Sequence, residues 1–166
     1  MGQSIQLFTV GHSNRSIDDF IDLLKRYRIG CIVDIRSNPS SRFEQFNQDI
    51  LDYTLSKHGI DYRYLGNLLG GKPRTKNNQW KQGTLNNAVI AELRASEHWK
   101  KGLSILKKRI EDGASEGVTF CLLCSERRAD QCHRNAVAMD LSQMLDIKVE
   151  HLDSQGSEVA IQETML

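Results

Sequence analysis

The sequence predicts one α/β domain, a three-layer sandwich with a mostly parallel sheet of about five strands and helices on both faces. Three observations lead there. Short apolar, β-branched runs alternate with helical patterns from end to end, as they do when helical crossovers join parallel strands. With 166 residues, 39% of them hydrophobic, the chain suits one compact domain with a sizeable core. Five strand candidates fall short of the eight that close an α/β barrel, so an open sheet is expected.

QLFTV (6–10) is the first strand candidate. SIDDFIDLLKRYRI follows as a helix, with Ser16 as N-cap, Asp19 at its third position and Ile17, Phe20, Ile21, Leu24 and Tyr27 on one face. CIVDI (31–35) is the second strand. The loop RSNPSSRFEQF leads to a short helix around 47–58 that stops at Gly59. DYRYL (61–65) is the third strand, followed by a long Gly-, Asn- and Lys-rich loop starting GNLLGGKPR. Loops that long are usually functional or mobile. A helical region over about 86–112, broken near Ser96, precedes the fourth strand VTFCLL (118–123). RNAVAMDLSQML is a helix and IKVEHL (147–152) the fifth strand. The expected unit is a single domain over 1–166, its core about 6–152 and a loose polar tail from 153 to 166.

Charge and composition exclude several classes. A formal net charge of +1 gives no global pull toward nucleic acid or membrane, so an anion site must come from local clustering. No basic, apolar leader opens the chain and no stretch approaches the ~20 apolar residues of a membrane span. A cytoplasmic location without a membrane partner is the expectation, and with it four reduced cysteines: Cys31, Cys121, Cys124 and Cys132.

Chemistry collects at the strand ends. GHSN (11–14) leaves the first strand, Asp34 and Arg36 end the second, GNLLGGKPR follows the third, and Cys124, Ser125 and Glu126 follow the fourth. Open α/β sheets bind ligands outside the carboxyl ends of their strands, so these segments should share one rim. His12 suits a general acid or base, or else merely bonds a turn. Asp34 and Arg36 share a face, as a structural ion pair or with Arg36 clamping a phosphate or carboxylate and Asp34 handling protons. Arg42, Lys72 and Arg74 add positive charge, and Gly70 with Gly71 permits close backbone approach. Lys76 and Trp80 sit in the same long loop.

The segment TFCLLCSERRADQCHRNAV holds Cys121, Cys124, Cys132 and His133, enough donors for a four-ligand zinc site. Strand alternation sends Cys121 and Cys124 to opposite faces, and the adjacent Cys132 and His133 make an awkward ligand pair. No cofactor is therefore expected, with structural or catalytic zinc the less favoured reading. Catalytically, Cys132 precedes a helix whose N-terminus would stabilise a thiolate, and Arg134 would help hold an anion there. Cys124 or Cys132 is the candidate nucleophile, with Glu126 as acid, base or orienter. Alternatively, the cysteines simply pack.

GHSN, DIRSNPSSR, GIDYRYLGNLLGGKPR and LLCSERRADQCHR together resemble a bacterial and archaeal family, domain of unknown function four-eight-eight. The resemblance runs from about Phe8 to Leu152 and implies a single α/β domain. Its motif residues map onto His12, Ser13, Asp34, Arg36, Pro39, Ser41, Gly70, Gly71, Cys124, Glu126, Cys132, His133 and Arg134. Cys121 lies outside the motif.

Two function classes follow. The favoured one is an enzyme, a hydrolase or group transferase, acting on a nucleotide, nucleic acid or other phosphate-bearing substrate. Catalysis would fall to His12, Asp34, Cys124, Glu126, Cys132 and His133. Ser13, Arg36, Ser41, Arg42, Gly70, Gly71, Lys72, Arg74 and Arg134 would hold the anion. The alternative is a non-catalytic nucleic-acid-binding module with structural or metal-binding cysteines.

Overall fold

The computed structural model describes residues 5–72, 86–128, 132–153 and 156–159. Six strands form one sheet: β1 (Leu7–Gly11), β2 (Cys31–Asp34), β3 (Asp61–Tyr64), β4 (Phe120–Cys124), β5 (Val149–Asp153) and β6 (Gly156–Val159). Their order is β3-β2-β4-β1-β5-β6. The first five run parallel, and β6 joins β5 antiparallel at one edge. The helices are α1 (Ile17–Arg26), α2 (Gln48–Lys57), α3 (Gly66–Leu69), α4 (Asn87–Ala95), α5 (Glu97–Ser115) and α6 (Arg134–Leu145), with a 3₁₀ turn over Glu44–Phe46.

Local chemistry explains the helix ends. Ser16 Oγ accepts from the Asp19 amide at 3.1 Å to start α1, satisfying one donor that the first helical turn leaves unpaired. Ser96 closes α4 and opens α5, its Oγ accepting from the Trp99 amide at 3.2 Å. Gly59, at φ +73°, follows α2 in the left-handed conformation that ends many helices.

Alternation along the strands builds two cores. Leu7, Val33, Leu122 and Val149 pack with Leu93, Leu106, Ile110 and Leu141 from α4, α5 and α6. Phe8, Ile32, Cys121 and Leu123 pack with Phe20, Leu24, Leu51 and Leu55 from α1 and α2. The result is the expected three-layer α/β domain.

Two expectations are corrected. The tail from 153 was expected to be loose, yet Gly156–Val159 pairs with β5. The stretch after β3, a loop by its composition, instead begins with α3 in its first four residues, which pack on α5. Arg74, Lys76 and Trp80 lie outside the described residues.

The chain leaves β1 through α1 toward β2 on one face, and leaves β4 through α6 toward β5 on the other. The neighbours β1 and β4 thus flank a topological switch point, the place where open α/β sheets bind ligands.

Candidate functional site

The crevice is built from three loops. Beyond β1 and β4 the backbones stay zipped: His12 N–H donates to Cys124 O and Ser13 N–H to Ser125 O, both at 2.9 Å. Ser13 then turns away with φ +47°. Gly11 is required at this crossing, because an added Cβ would lie 1.7 Å from the Glu126 carbonyl oxygen. The loop after β2 supplies the third wall. Together they enclose an open groove of about 410 Å³ lined by His12, Ser13, Asn14, Ser41, Arg42, Phe43, Ser125 and Glu126. His12 is buried at its base, whereas Arg42 and Glu126 are exposed.

Behind His12 lies a buried polar network. Arg36 clasps Asp34 with two bonds, Nε to Oδ1 at 2.9 Å and Nη2 to Oδ2 at 2.7 Å. The Arg36 amide also donates to Asp34 Oδ1, and the Tyr62 hydroxyl to Oδ2. Arg36 Nη1 donates to Phe46 O at 2.7 Å and faces His12 Nε2 at 3.4 Å. His12 Nδ1 donates to Ser13 O at 2.8 Å, leaving Nε2 as the acceptor, and the ring stacks on Phe46 at 4.4 Å. Burial, followed by the Arg36 charge, pulls its pKa down to about 4. His12 is thus neutral at pH 7.

Of the two readings of Asp34 and Arg36, the geometry matches one. The structural ion pair describes them: the carboxylate is saturated by arginine, amide and phenol, and the guanidinium is turned inward. Neither side chain lines the groove. Arg134 is internal for the same reason. It is 1% exposed, and donates from Nε to Thr9 Oγ1 at 3.0 Å, from Nη1 to Glu126 O and from Nη2 to Arg127 O at 2.9 Å. Its guanidinium is bonded to the loop after β4 and does not line the groove. Burial lowers its pKa to about 10.

The cysteine expectations change most. Cys124, at the end of β4, and Cys132, just before α6, are paired as a disulfide in this structure, where four thiols were expected; Cys31 and Cys121 are free. While it lasts, neither sulfur is a thiolate nucleophile. His133 Nδ1 stands 3.7 Å from each sulfur, and its Nε2 donates to Ile35 O at 2.7 Å. Burial draws its pKa down to about 4. Although Cys132 and His133 are adjacent, it is Nδ1, the ring nitrogen nearer the backbone, that faces the Cys132 sulfur. Cys121 points into the α1/α2 core as strand alternation required, and burial pushes its thiol up.

Gly70 and Gly71 also acquire a packing role. A Cβ on Gly70 would meet Ser37 Oγ at 2.4 Å, and one on Gly71 would meet His133 Nδ1 at 2.6 Å. Lys72 is exposed and outside the groove lining. Sequence reasoning missed Tyr62, Phe46 and Phe43. The alternating DYRY strand was the available signal for Tyr62, while the phenylalanines carried none beyond hydrophobicity.

The fold and groove define a doubly wound α/β protein with a polar crevice at its switch point. The chain belongs to the family described as Domain of unknown function DUF488, whose model matches residues 16–141. That match contains DIRSNPSSR, the double glycine and CSE…CHR, while GHSN lies just before it. No curated protein and no solved structure matches the chain. No described helix is long and apolar enough to cross a membrane.

Proposed function

We propose that the chain is an enzyme that hydrolyses, or transfers a group from, a small phosphate-bearing substrate such as a nucleotide in the groove beyond β1, β2 and β4. One observation carries this reading: three separate loops bring three serine hydroxyls, Arg42 and Glu126 to one polar groove at the switch point. Its volume of about 410 Å³ suits a small molecule, since ligand pockets span about 300–1,000 Å³. That favours a nucleotide over a nucleic-acid-binding face.

Ser13, Ser41 and Ser125 would donate to anionic oxygens, and Arg42 would add a charge-assisted contact. Glu126, the exposed carboxylate of the groove, would take a proton from water as its oxygen bonds to phosphorus. The bond to the ester oxygen breaks, and that oxygen recovers a proton from Glu126, leaving an alcohol and phosphate. In group transfer an acceptor hydroxyl replaces the water. His12 would form the neutral floor of the groove, its two ring nitrogens held by Ser13 O and Arg36.

The test is phosphate release from a panel of phosphomonoesters and nucleotides by the wild type, Glu126→Gln and Arg42→Ala. Losing the general base should lower kcat by about 10²–10⁴, and losing Arg42 should raise KM. The reading fails if nothing in the panel turns over and no phosphate- or nucleotide-dependent rise in Tm depends on Arg42.

A further inference from the structure

Cys124, Cys132 and His133 do not line that groove, and the phosphate chemistry uses none of them. We propose that these three side chains, with the disulfide reduced, bind a thiophilic divalent cation of the zinc class, and that the disulfide is the metal-free form of the site.

Convergence is the first argument. The two sulfurs and His133 Nδ1 all lie within 4.8 Å of one another, and all three residues are buried. Orientation is the second. His133 Nε2 donates to the Ile35 carbonyl at 2.7 Å, so the Nδ1 lone pair points at the sulfurs. Metal-binding histidines are held this way, by a carbonyl or carboxylate on the far nitrogen. A disulfide sulfur carries no proton, so in the oxidised form this buried lone pair faces no donor there. A cation bound by two thiolates removes that mismatch.

Span is the third argument. The Cα atoms of Cys124 and Cys132 stand 7.2 Å apart, outside the usual disulfide range of about 4.4–6.8 Å. Two thiolates on a shared ion tolerate a wider separation. The surroundings agree: the Arg134 amide points at Cys132 Sγ at 3.5 Å, a contact that favours the thiolate, and Gly71 leaves room for the His133 ring. Two thiolates and an imidazole select zinc-like ions over magnesium or calcium. Three protein ligands leave a fourth position for water or another donor.

The chemistry balances. Exchange with a small dithiol converts the protein disulfide to two thiols and the dithiol to its own disulfide. Uptake of the divalent ion then releases the two thiol protons.

The test uses the full chain and Co²⁺ as a spectroscopic probe, displaced afterwards by Zn²⁺. The oxidised chain should bind none. After reduction by a phosphine, which leaves as its oxide, the chain should take up one equivalent with thiolate-to-cobalt charge-transfer absorption. Cys132→Ser and His133→Asn should abolish that band, whereas Cys31→Ser and Cys121→Ser should keep it. Should Cys132→Ser fail to fold, the comparison of oxidised with reduced wild type still decides. Absence of stoichiometric cobalt in the reduced chain, or uptake indifferent to oxidation, overturns the proposal. The readout is absorbance, so it stands or falls apart from the phosphate reading.

Discussion

Replacing Gly11 with alanine tests whether the crossing of the β1 and β4 loops shapes the groove. The new Cβ would lie 1.7 Å from Glu126 O and 2.5 Å from its carbon, where real Cβ atoms stay beyond 3.0 Å. The obstacle is backbone, so no rotamer change relieves it and the carbonyl must retreat by more than an ångström. That carbonyl accepts from buried Arg134 Nη1, a charge-assisted bond of about 1.5–3 kcal/mol. Overpacking adds about 1–3 kcal/mol. Together the lost bond and the overpacking give a destabilisation of about 2.5–6 kcal/mol, or about 5–24 °C in Tm for a chain of this size. Urea and thermal unfolding measure it. Gly59→Ala is the control: its Cβ meets nothing, so only the left-handed backbone at φ +73° penalises it, by about 1–2 kcal/mol. A Gly11→Ala loss no larger than the Gly59→Ala loss would refute the reasoning.

Further predictions come from buried polar groups. Asp34→Asn leaves the Arg36 guanidinium buried beside a neutral amide and should destabilise by about 3–5 kcal/mol in urea unfolding. Tyr62→Phe, which removes one donor to the same carboxylate, should lose about 1.5–3 kcal/mol. The histidines His12, His133 and His151 are each lowered to about 4, principally by burial. Because the unfolded chain binds more protons between pH 4 and 6.5, their contribution is complete above about pH 6.5 and is lost as pH falls toward 4. Urea midpoints measured from pH 7 to pH 5 should fall, and His12→Asn should make that fall shallower by up to about 1.4 kcal/mol per pH unit.

Much of the fold was legible because its signals are local. The cap at Ser16, the break near Ser96, the stop at Gly59 and period-2 or period-3.6 apolar patterns place most elements within a few residues. The misses are elements whose stability is borrowed. Gly156–Val159 is an edge strand that exists only against β5, and Gly66–Leu69 is one helical turn held against α5. The rim followed the same division. That His12, Ser13, Ser41, Arg42 and Glu126 would meet could be read from strand ends. What Arg36 and Arg134 do there could not, because their partners include the carbonyls of Phe46, Glu126 and Arg127. Any residue supplies a carbonyl, so sequence leaves no mark of it. A buried arginine saturated by carbonyls and an arginine poised for phosphate look alike in sequence. Cys124, Cys132 and His133 stand close together in sequence, but only the chain folding back after β4 sets His133 Nδ1 beside both sulfurs.

The two buried clusters at the rim share one peptide group. Strand alternation puts Asp34 and Arg36 on the α1/α2 side of β2, while His133 approaches from the α6 side. The peptide joining Ile35 to Arg36 bonds both ways: its carbonyl accepts from His133 Nε2 at 2.7 Å, and its N–H donates to Asp34 Oδ1 at 3.1 Å. A peptide is planar and rigid, so a tilt imposed at one end is delivered at the other. Moving His133, as exchange of the disulfide for a bound cation would, should therefore reach Asp34, Arg36 and the His12 that Arg36 faces. Distant, unconnected sites add to within about 0.3–0.5 kcal/mol, whereas groups in one network couple by about 0.5–3 kcal/mol. A double-mutant cycle with His133→Asn and Asp34→Asn, read by urea unfolding, should give a coupling in the second range. Strict additivity would show that the Ile35–Arg36 peptide transmits nothing and that the two clusters are energetically independent.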